Sequence, residues 1–175
     1  MAKTPVPTDE RRTLDLLRNH GELKSTLVSL TMRSDLGVLD SHIAAIAGKW
    51  FELGRLHLND ALGLDVTASP RAAYSRAYYA AYNASKAVRY VVRGTVSLKG
   101  DDHKKIADLP DGFPNVDSWT SQLPLLYEHR LRADYDNWTN TTSENVLPPA
   151  DCVKMAGDFI SEAATFLLAE YGLTI

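Results

Sequence analysis

Residues 127–138 carry the densest group of side chains that could perform chemistry. A helix advances about 100° per residue, so Arg130 and Asp134, four residues apart, lie together beside the apolar side of one helix. A guanidinium in such a place must pair with a carboxylate or be offered to an anion, because an unpaired buried charge is costly. The spacing therefore fits a structural ion pair, or a phosphate site that uses the planar donor set of arginine.

The other polar residues of this segment divide between the edges of the apolar stripe and the opposite side. Asn137 shares one edge with Arg130, and Tyr135 lies on the other edge. We expect Arg132 to belong to a solvated charge network four residues from an acidic side chain in each direction. The residues predicted to point to that solvated side are Glu128, His129, Arg132 and Asp136.

Residues 75–82 form the second segment of interest, because they alternate small and aromatic side chains around Arg76. Alanines allow a neighbouring helix to approach closely, and tyrosines bring large rings with a polar tip. One interpretation is a core helix whose hydroxyls are satisfied at its rim. The other is a helix whose hydroxyls reach a cleft or a partner subunit.

Composition limits the remaining classes of function. The formal charge is −3 with a pI near 5.9, so any contact with nucleic acid must be local. Cys152 is the only cysteine and the five histidines are scattered, which indicates neither a metal site nor a bound cofactor. No apolar run approaches the roughly 20 residues of a membrane span. The first residues do not read as a secretory signal, so we expect a cytoplasmic protein.

Apolar residues recur at helical spacing through most of the chain, and no segment alternates as a strand does. The pattern predicts an all-α protein: an up-and-down bundle of about five helices over residues 38–175, with a helical extension over residues 1–37. The extension is interrupted at Gly21. The predicted bundle segments are 40–63, 70–94 after the Ser69-Pro70 cap, a short helix over 103–109, one from Pro124 to about 138, and 149–172.

Two motifs in this order resemble the HEPN family of helical nucleotide-binding domains. Residues 76–80 read Arg-Ala-Tyr-Tyr-Ala, and residues 130–135 read Arg-Leu-Arg-Ala-Asp-Tyr, like the "RAYYA" and "R-x-x-A-D-Y" signatures of that family. His103 resembles the histidine that often starts a short helix between them. The resemblance implies a homodimer with both motif helices at its interface or cleft. Many HEPN members are toxins that cut RNA without a metal, encoded beside a nucleotidyltransferase antitoxin.

The resemblance also implies a site. The candidate catalytic residues are Arg130, Asp134 and Tyr135, and the candidate binding residues are Arg76, Tyr79, Arg132 and Asn137. HEPN ribonucleases have four to six residues between an arginine and a histidine. Here that position, seven residues after Arg130 and five after Arg132, holds Asn137, which cannot act as an acid or base near neutral pH.

Proton transfer is thereby left to Tyr135, to His103 or His129 of either subunit, or to no group at all. Three hypotheses follow from this departure. The chain is a weakened, metal-independent ribonuclease, or a non-catalytic module that binds nucleotide, RNA or a nucleotidyltransferase. The third is a structural adaptor that docks through its N-terminal extension.

Overall fold

A computed structural model of the protein describes residues 8–97, 100–135 and 147–175. The described residues form helices and no strands, which confirms the predicted all-α bundle. Six α-helices follow in chain order: α1 (Thr8–Leu17), α2 (His20–Ser29), α3 (Leu36–Leu62), α4 (Pro70–Arg93), α5 (Val116–Tyr135) and α6 (Pro149–Tyr171). Two short 3-10 turns cover Arg33–Asp35 and Gly100–Lys105. None of the described helices is both long and apolar enough to span a membrane.

Helix α4 is the centre of the bundle, because α3, α5 and α6 all pack against it. Its limits agree with the sequence: proline is its first residue, and Gly94 ends it in the left-handed conformation with φ of 69°. Ser69 occupies the predicted N-cap position, but its side chain makes no capping hydrogen bond. The proline, with its preset φ, starts the helix instead.

The small residues of α4 are used inside this one chain. Ala77, Ala80, Ala81 and Ala84 are all fully buried, as is the Tyr78 side chain. Their burial supports the first interpretation, a core helix, for these residues. Helix α4 has neighbours on three sides, and the alanines are what allows those helices to approach.

Helix α5 begins at Val116, eight residues before the expected start, and Pro124 lies inside it. A proline within a helix removes one hydrogen bond and costs about 3 kcal/mol. Here tertiary contacts offset that cost, because Trp119 and Leu123 are buried and the Trp119 indole donates to Glu162 of α6 at 2.8 Å. The short helix expected over residues 103–109 is instead the Gly100–Lys105 turn.

The N-terminal helices are attached to the end of α4. The helical conformation is interrupted at residues 18–19, between α1 and α2. Gly21 lies within α2, so the predicted interruption at Gly21 is wrong. The Gly21 amide donates to the Gly94 carbonyl at 2.9 Å, and the Val96 amide donates to the backbone carbonyl of Arg18 at 2.8 Å. The buried His20 ring places its Nε2 atom 2.8 Å from the Tyr90 carbonyl. Leu17 and His20 are thus buried against the end of α4.

Close packing of α3 on α4 predicts that Gly54→Ala destabilises the protein. A Cβ atom at residue 54 would lie 2.9 Å from the Ala80 carbonyl oxygen, which is backbone and cannot move alone. Forced overpacking typically costs about 1–3 kcal/mol. Gly48→Ala is the matched control on the same helix, since its Cβ meets nothing within 4 Å. That variant should gain up to about 1 kcal/mol. Urea unfolding measures both, and equal midpoints would contradict this packing.

Acid should weaken the protein through His20. Burial lowers the pKa of His20, outweighing the raising effect of its hydrogen bond to Tyr90. The unfolded chain therefore takes up a proton near pH 6.5, above the pH at which the folded chain does. Stability is full above that pH and declines as pH falls below it. Thermal unfolding between pH 5 and pH 8 measures this slope.

The slope should be smaller for His20→Gln than for wild type, without vanishing, because the pKa values of His57 and His103 are also lowered by burial. His42→Gln changes an exposed histidine and serves as the control. An unchanged slope in His20→Gln would rule out His20 as a source of the acid sensitivity.

Candidate functional site

Arg130, near the end of α5, forms the ion pair that the helical spacing allowed. Its Nε atom lies 2.7 Å from Oδ2 of Asp134, and the two side chains are 16% and 30% exposed. The Nε–H is not aligned on that oxygen as in a hydrogen bond, so the contact acts through charge. Nη2 donates to the Tyr79 hydroxyl at 3.1 Å. Arg130 is thus oriented by α4 and α5 together.

Asp134 is held from both helices. Its Oδ1 atom accepts a hydrogen bond from the Ser75 hydroxyl at 2.8 Å, while Oδ2 faces Arg130. Both carboxylate oxygens are therefore engaged. The geometry makes Asp134 a group that orients Arg130 and neutralises its charge, rather than a free base. In the sequence, Ser75 is only the first residue of segment 75–82. Its hydrogen bond to Asp134 depends on the packing of α4 against α5.

Three tyrosine rings surround the Arg130 guanidinium. Its Cζ atom lies 5.6 Å from the Tyr79 centroid, 6.0 Å from that of Tyr78 and 5.6 Å from that of Tyr135. The quadrupole of an aromatic ring attracts a cation at such distances. Tyr78 is fully buried, whereas Tyr135 is 71% exposed. The cluster therefore runs from the core of the bundle to its surface.

His103 joins this cluster from the Gly100–Lys105 turn. Its Nδ1 atom lies 2.7 Å from the Tyr78 hydroxyl, and its ring stacks on Tyr82 with centroids 4.5 Å apart. Burial, together with the positive charge of Arg130, lowers the pKa of His103. The ring is consequently neutral near pH 7. Sequence reasoning named His103 as a helix-start residue, and the fold brings it to the rings that also contact Arg130.

A buried ion pair beneath His103 fixes the turn. Arg89 of α4 donates twice to the Asp102 carboxylate, at 3.0 and 2.9 Å, and the Tyr82 hydroxyl donates to it at 2.9 Å. Burial alone would raise the pKa of Asp102, but the hydrogen bonds and charge of Arg89 lower it. Neither residue was singled out from the sequence. The available signal was an arginine between Val88 and Tyr90 on a helix with an otherwise apolar face.

Arg76 lies on the opposite side of Tyr79, toward α3. Its Nη1 atom donates to Nδ1 of His57 at 2.9 Å, and its Nε atom is 3.6 Å from the Asp60 carboxylate. The His57 and Tyr79 rings have centroids 5.4 Å apart. Burial, and then the charge of Arg76, lowers the pKa of His57. Tyr79 therefore stands between two arginines, each paired with a carboxylate.

Two of the remaining candidates do not join this cluster. His129 was placed on the solvated side, but it is 4% exposed and both ring nitrogens are bonded. Nδ1 donates to the Leu125 carbonyl at 2.6 Å, and Nε2 accepts from the Leu147 amide at 2.8 Å. It holds α5 to the start of α6, which excludes the proposed role in proton transfer. Arg132 is exposed, as predicted, and Asn137 lies outside the described residues.

No protein-family model matches this chain, and searches of curated proteins and of solved structures found no match either. The likeness to HEPN proteins therefore rests on sequence motifs alone. Among the described residues, no group of three or more histidine, cysteine, aspartate or glutamate side chains is placed to hold a metal ion. The candidate site is therefore the cluster formed by Arg130, Tyr79, Tyr78 and His103.

Proposed function

We propose that this chain is a HEPN-type, toxin-like cytoplasmic protein that acts on RNA and binds a backbone phosphate at Arg130. The observation that supports it most is the position of a half-buried arginine and a neutral histidine on one cluster of tyrosines. Arg130 contacts Tyr78 and Tyr79, and His103 contacts the same two rings. Guanidinium and imidazole are the two groups that phosphodiester chemistry in HEPN ribonucleases uses.

The donors of Arg130 are only partly used. Arginine carries five N–H donors in a planar fork. In the described part of the chain, Nε faces Asp134 and Nη2 bonds to Tyr79. Within that part, both N–H groups of Nη1 and the second N–H of Nη2 therefore remain to meet phosphate oxygens, in the paired geometry that suits phosphate. Arg76, across Tyr79, supplies a second donor group for a neighbouring phosphate.

Cleavage at this site would follow the usual route for RNA. The ribose 2′-hydroxyl attacks the adjacent phosphorus and the bond to the 5′ oxygen breaks, leaving a cyclic phosphate and a 5′-hydroxyl. One group must take the proton from the 2′-hydroxyl, and another must deliver a proton to the leaving oxygen. Arg130 stabilises the charge that develops on the phosphate. His103, which contacts two of the rings around Arg130, is a candidate for one of these two proton transfers.

The second candidate function is RNA or nucleotide binding without turnover. It is favoured by how few free bases the described site contains: both Asp134 oxygens and both His129 nitrogens are engaged. Asn137 also replaces the histidine of the active family members. General acid–base help is worth about 10²–10⁴ in rate, so its loss leaves binding as the measurable activity.

Partners follow from the same proposal. The HEPN likeness favours a homodimer and a nucleotidyltransferase antitoxin as partner. The exposed Tyr135, at the end of the motif helix and beside Arg130, supports a contact there. Light scattering at micromolar concentration should give twice 19.3 kDa, and the monomer mass would contradict the dimer. A nucleotidyltransferase gene beside the coding sequence would support the toxin–antitoxin pairing.

Binding of RNA should depend on Arg130 and not on Arg132. Hydrogen bonds to charged groups contribute about 1.5–3 kcal/mol, so Arg130→Ala should weaken a single-stranded RNA oligonucleotide about tenfold or more. Arg132→Ala, on the same helix but exposed, should stay within about twofold. Fluorescence anisotropy at fixed salt measures both, with melting curves to confirm folding. Equal losses would show that charge alone, and not this site, binds the RNA.

The ion pair should also make Arg130→Ala the less stable of the two variants, since it leaves Asp134 without its partner. Arg130→Lys separates the two effects: it keeps the charge beside Asp134 but loses the planar fork. We expect it to melt near wild type and to bind RNA several-fold more weakly. Full RNA affinity in Arg130→Lys would count against fork-like recognition of phosphate.

Cleavage, where it is detected, should need Arg130 and survive a chelator. Labelled RNA is incubated with wild type, Arg130→Ala and Asn137→His, each with and without EDTA. Loss of cleavage with EDTA would refute metal independence, and cleavage by Arg130→Ala would remove the arginine from the mechanism. Higher activity in Asn137→His would identify the wild type as a HEPN site that has lost its catalytic histidine.

A further inference from the structure

The Tyr78 hydroxyl has a single use in the described structure. The side chain is fully buried, and its oxygen lies 2.7 Å from Nδ1 of His103. A buried hydroxyl must donate its proton to an acceptor, because an unsatisfied donor costs about 1–3 kcal/mol. Among the described residues, that ring nitrogen is the acceptor within reach. Tyr78 therefore donates, and Nδ1 accepts.

The proton stays on the tyrosine. Burial raises the pKa of Tyr78 far above its ordinary value, and the nearby Tyr82 and Tyr79 act in the same direction. The pKa of His103 is lowered by burial and by Arg130, so the ring is neutral near pH 7. A neutral imidazole carries one N–H. With Nδ1 accepting, that proton is on Nε2.

The His103 ring cannot easily rotate by 180° so that Nδ1 and Nε2 exchange positions. One face of it stacks on Tyr82, with the planes 27° apart, and the turn below is anchored by the Arg89–Asp102 pair. The charges around it come from each packed element: Arg130 of α5, Lys86 of α4 and Asp102 of its own turn. Arg130 and Lys86 favour the neutral ring and Asp102 opposes it, but Asp102 is already paired with Arg89.

We propose that Tyr78 is a positioning residue that fixes His103 as the Nε2–H tautomer. His103 then offers a hydrogen-bond donor, and not a base, to the phosphate held at Arg130. This inference rests on the proposed function for the identity of the ligand, a phosphodiester of single-stranded RNA. It also favours the second candidate function. In the described part of the site, His103 acts as a donor and both Asp134 oxygens are engaged, so the site would retain RNA rather than cut it quickly.

Imidazole ¹⁵N spectra of the full chain test the tautomer directly. In the wild type between pH 7 and pH 8, we expect His103 to show a protonated Nε2 and an unprotonated Nδ1. Tyr78→Phe should give a mixture of the two tautomers and a higher His103 pKa, since the bond that favours the neutral ring is lost. Tyr127→Phe is the control, because that ring packs on Tyr78 at 5.6 Å. A protonated Nδ1 in the wild type, or an unchanged tautomer in Tyr78→Phe, overturns the proposal.

RNA binding tests the donor role. Glutamine can accept from Tyr78 with its carbonyl and donate with its amide, so His103→Gln should keep the affinity of an RNA oligonucleotide within about threefold. His103→Leu, which can do neither, should bind RNA about fivefold more weakly or worse, because it loses a hydrogen bond worth about 1 kcal/mol. Melting curves identify any variant that fails to fold, and the tautomer spectra of Tyr78→Phe remain the independent readout.

The outcomes separate the two proposals. Equal affinity of His103→Leu and wild type would overturn the donor role, even where the tautomer is as expected. Cleavage by wild type that His103→Gln abolishes would show that His103 transfers a proton, and would overturn the donor role as well. A wild type that binds no RNA contradicts the proposed function and the donor role, while the spectra still decide whether Tyr78 fixes the tautomer.

Discussion

The arrangement of the site depends on the buried ion pair between Arg89 and Asp102. The two residues are 4% and 0% exposed, and removing both charges from water is expensive. Two parallel hydrogen bonds, a third from Tyr82 and contact of Arg89 with Ser85 offset that cost. Removal of one partner from such a pair typically costs about 3–5 kcal/mol. The turn that carries His103 is thereby fixed on α4, and the histidine with it.

Helix α4 both packs the bundle and carries residues of the candidate site. Its inward positions carry alanines, which let α3, α5 and α6 approach, and its outward edge carries Arg76 and Tyr79. Close approach is what brings Ser75 within 2.8 Å of Asp134 and Tyr79 within 3.1 Å of Arg130. A larger side chain on the inward face would separate the helices and open both contacts. Core packing and site geometry are therefore the same constraint.

The sequence predicted what local spacing controls and missed what long-range contacts control. The start and end of α4 and the Arg130–Asp134 pair follow from proline, glycine and the i,i+4 rule. His129 was assigned to the wrong face because the predicted apolar side of the helix was placed beside Arg130 and Asp134, and the true buried side lies elsewhere.

The fold instead buries Leu126, His129 and Ala133. This rotation of α5 depends on its packing against α4 and on the segment at Leu147, which donates to His129. The early start of α5 and the Arg89–Asp102 pair likewise need partners distant in sequence. No local pattern encodes which turn will meet which helix, so these features become visible only in the assembled bundle.

The acidic balance of the chain fits a site of this kind. Arg130 is neutralised by Asp134, Arg76 lies near Asp60, and the whole chain carries a formal charge of −3. Such a surface exerts little long-range attraction on a polyanion. Under the proposed function, recognition of RNA would therefore act at short range, through N–H groups of fixed direction and exposed rings such as Tyr135. Directed donors need rigid supports, and the tyrosines and the buried Arg89–Asp102 pair supply such supports around Arg130 and His103.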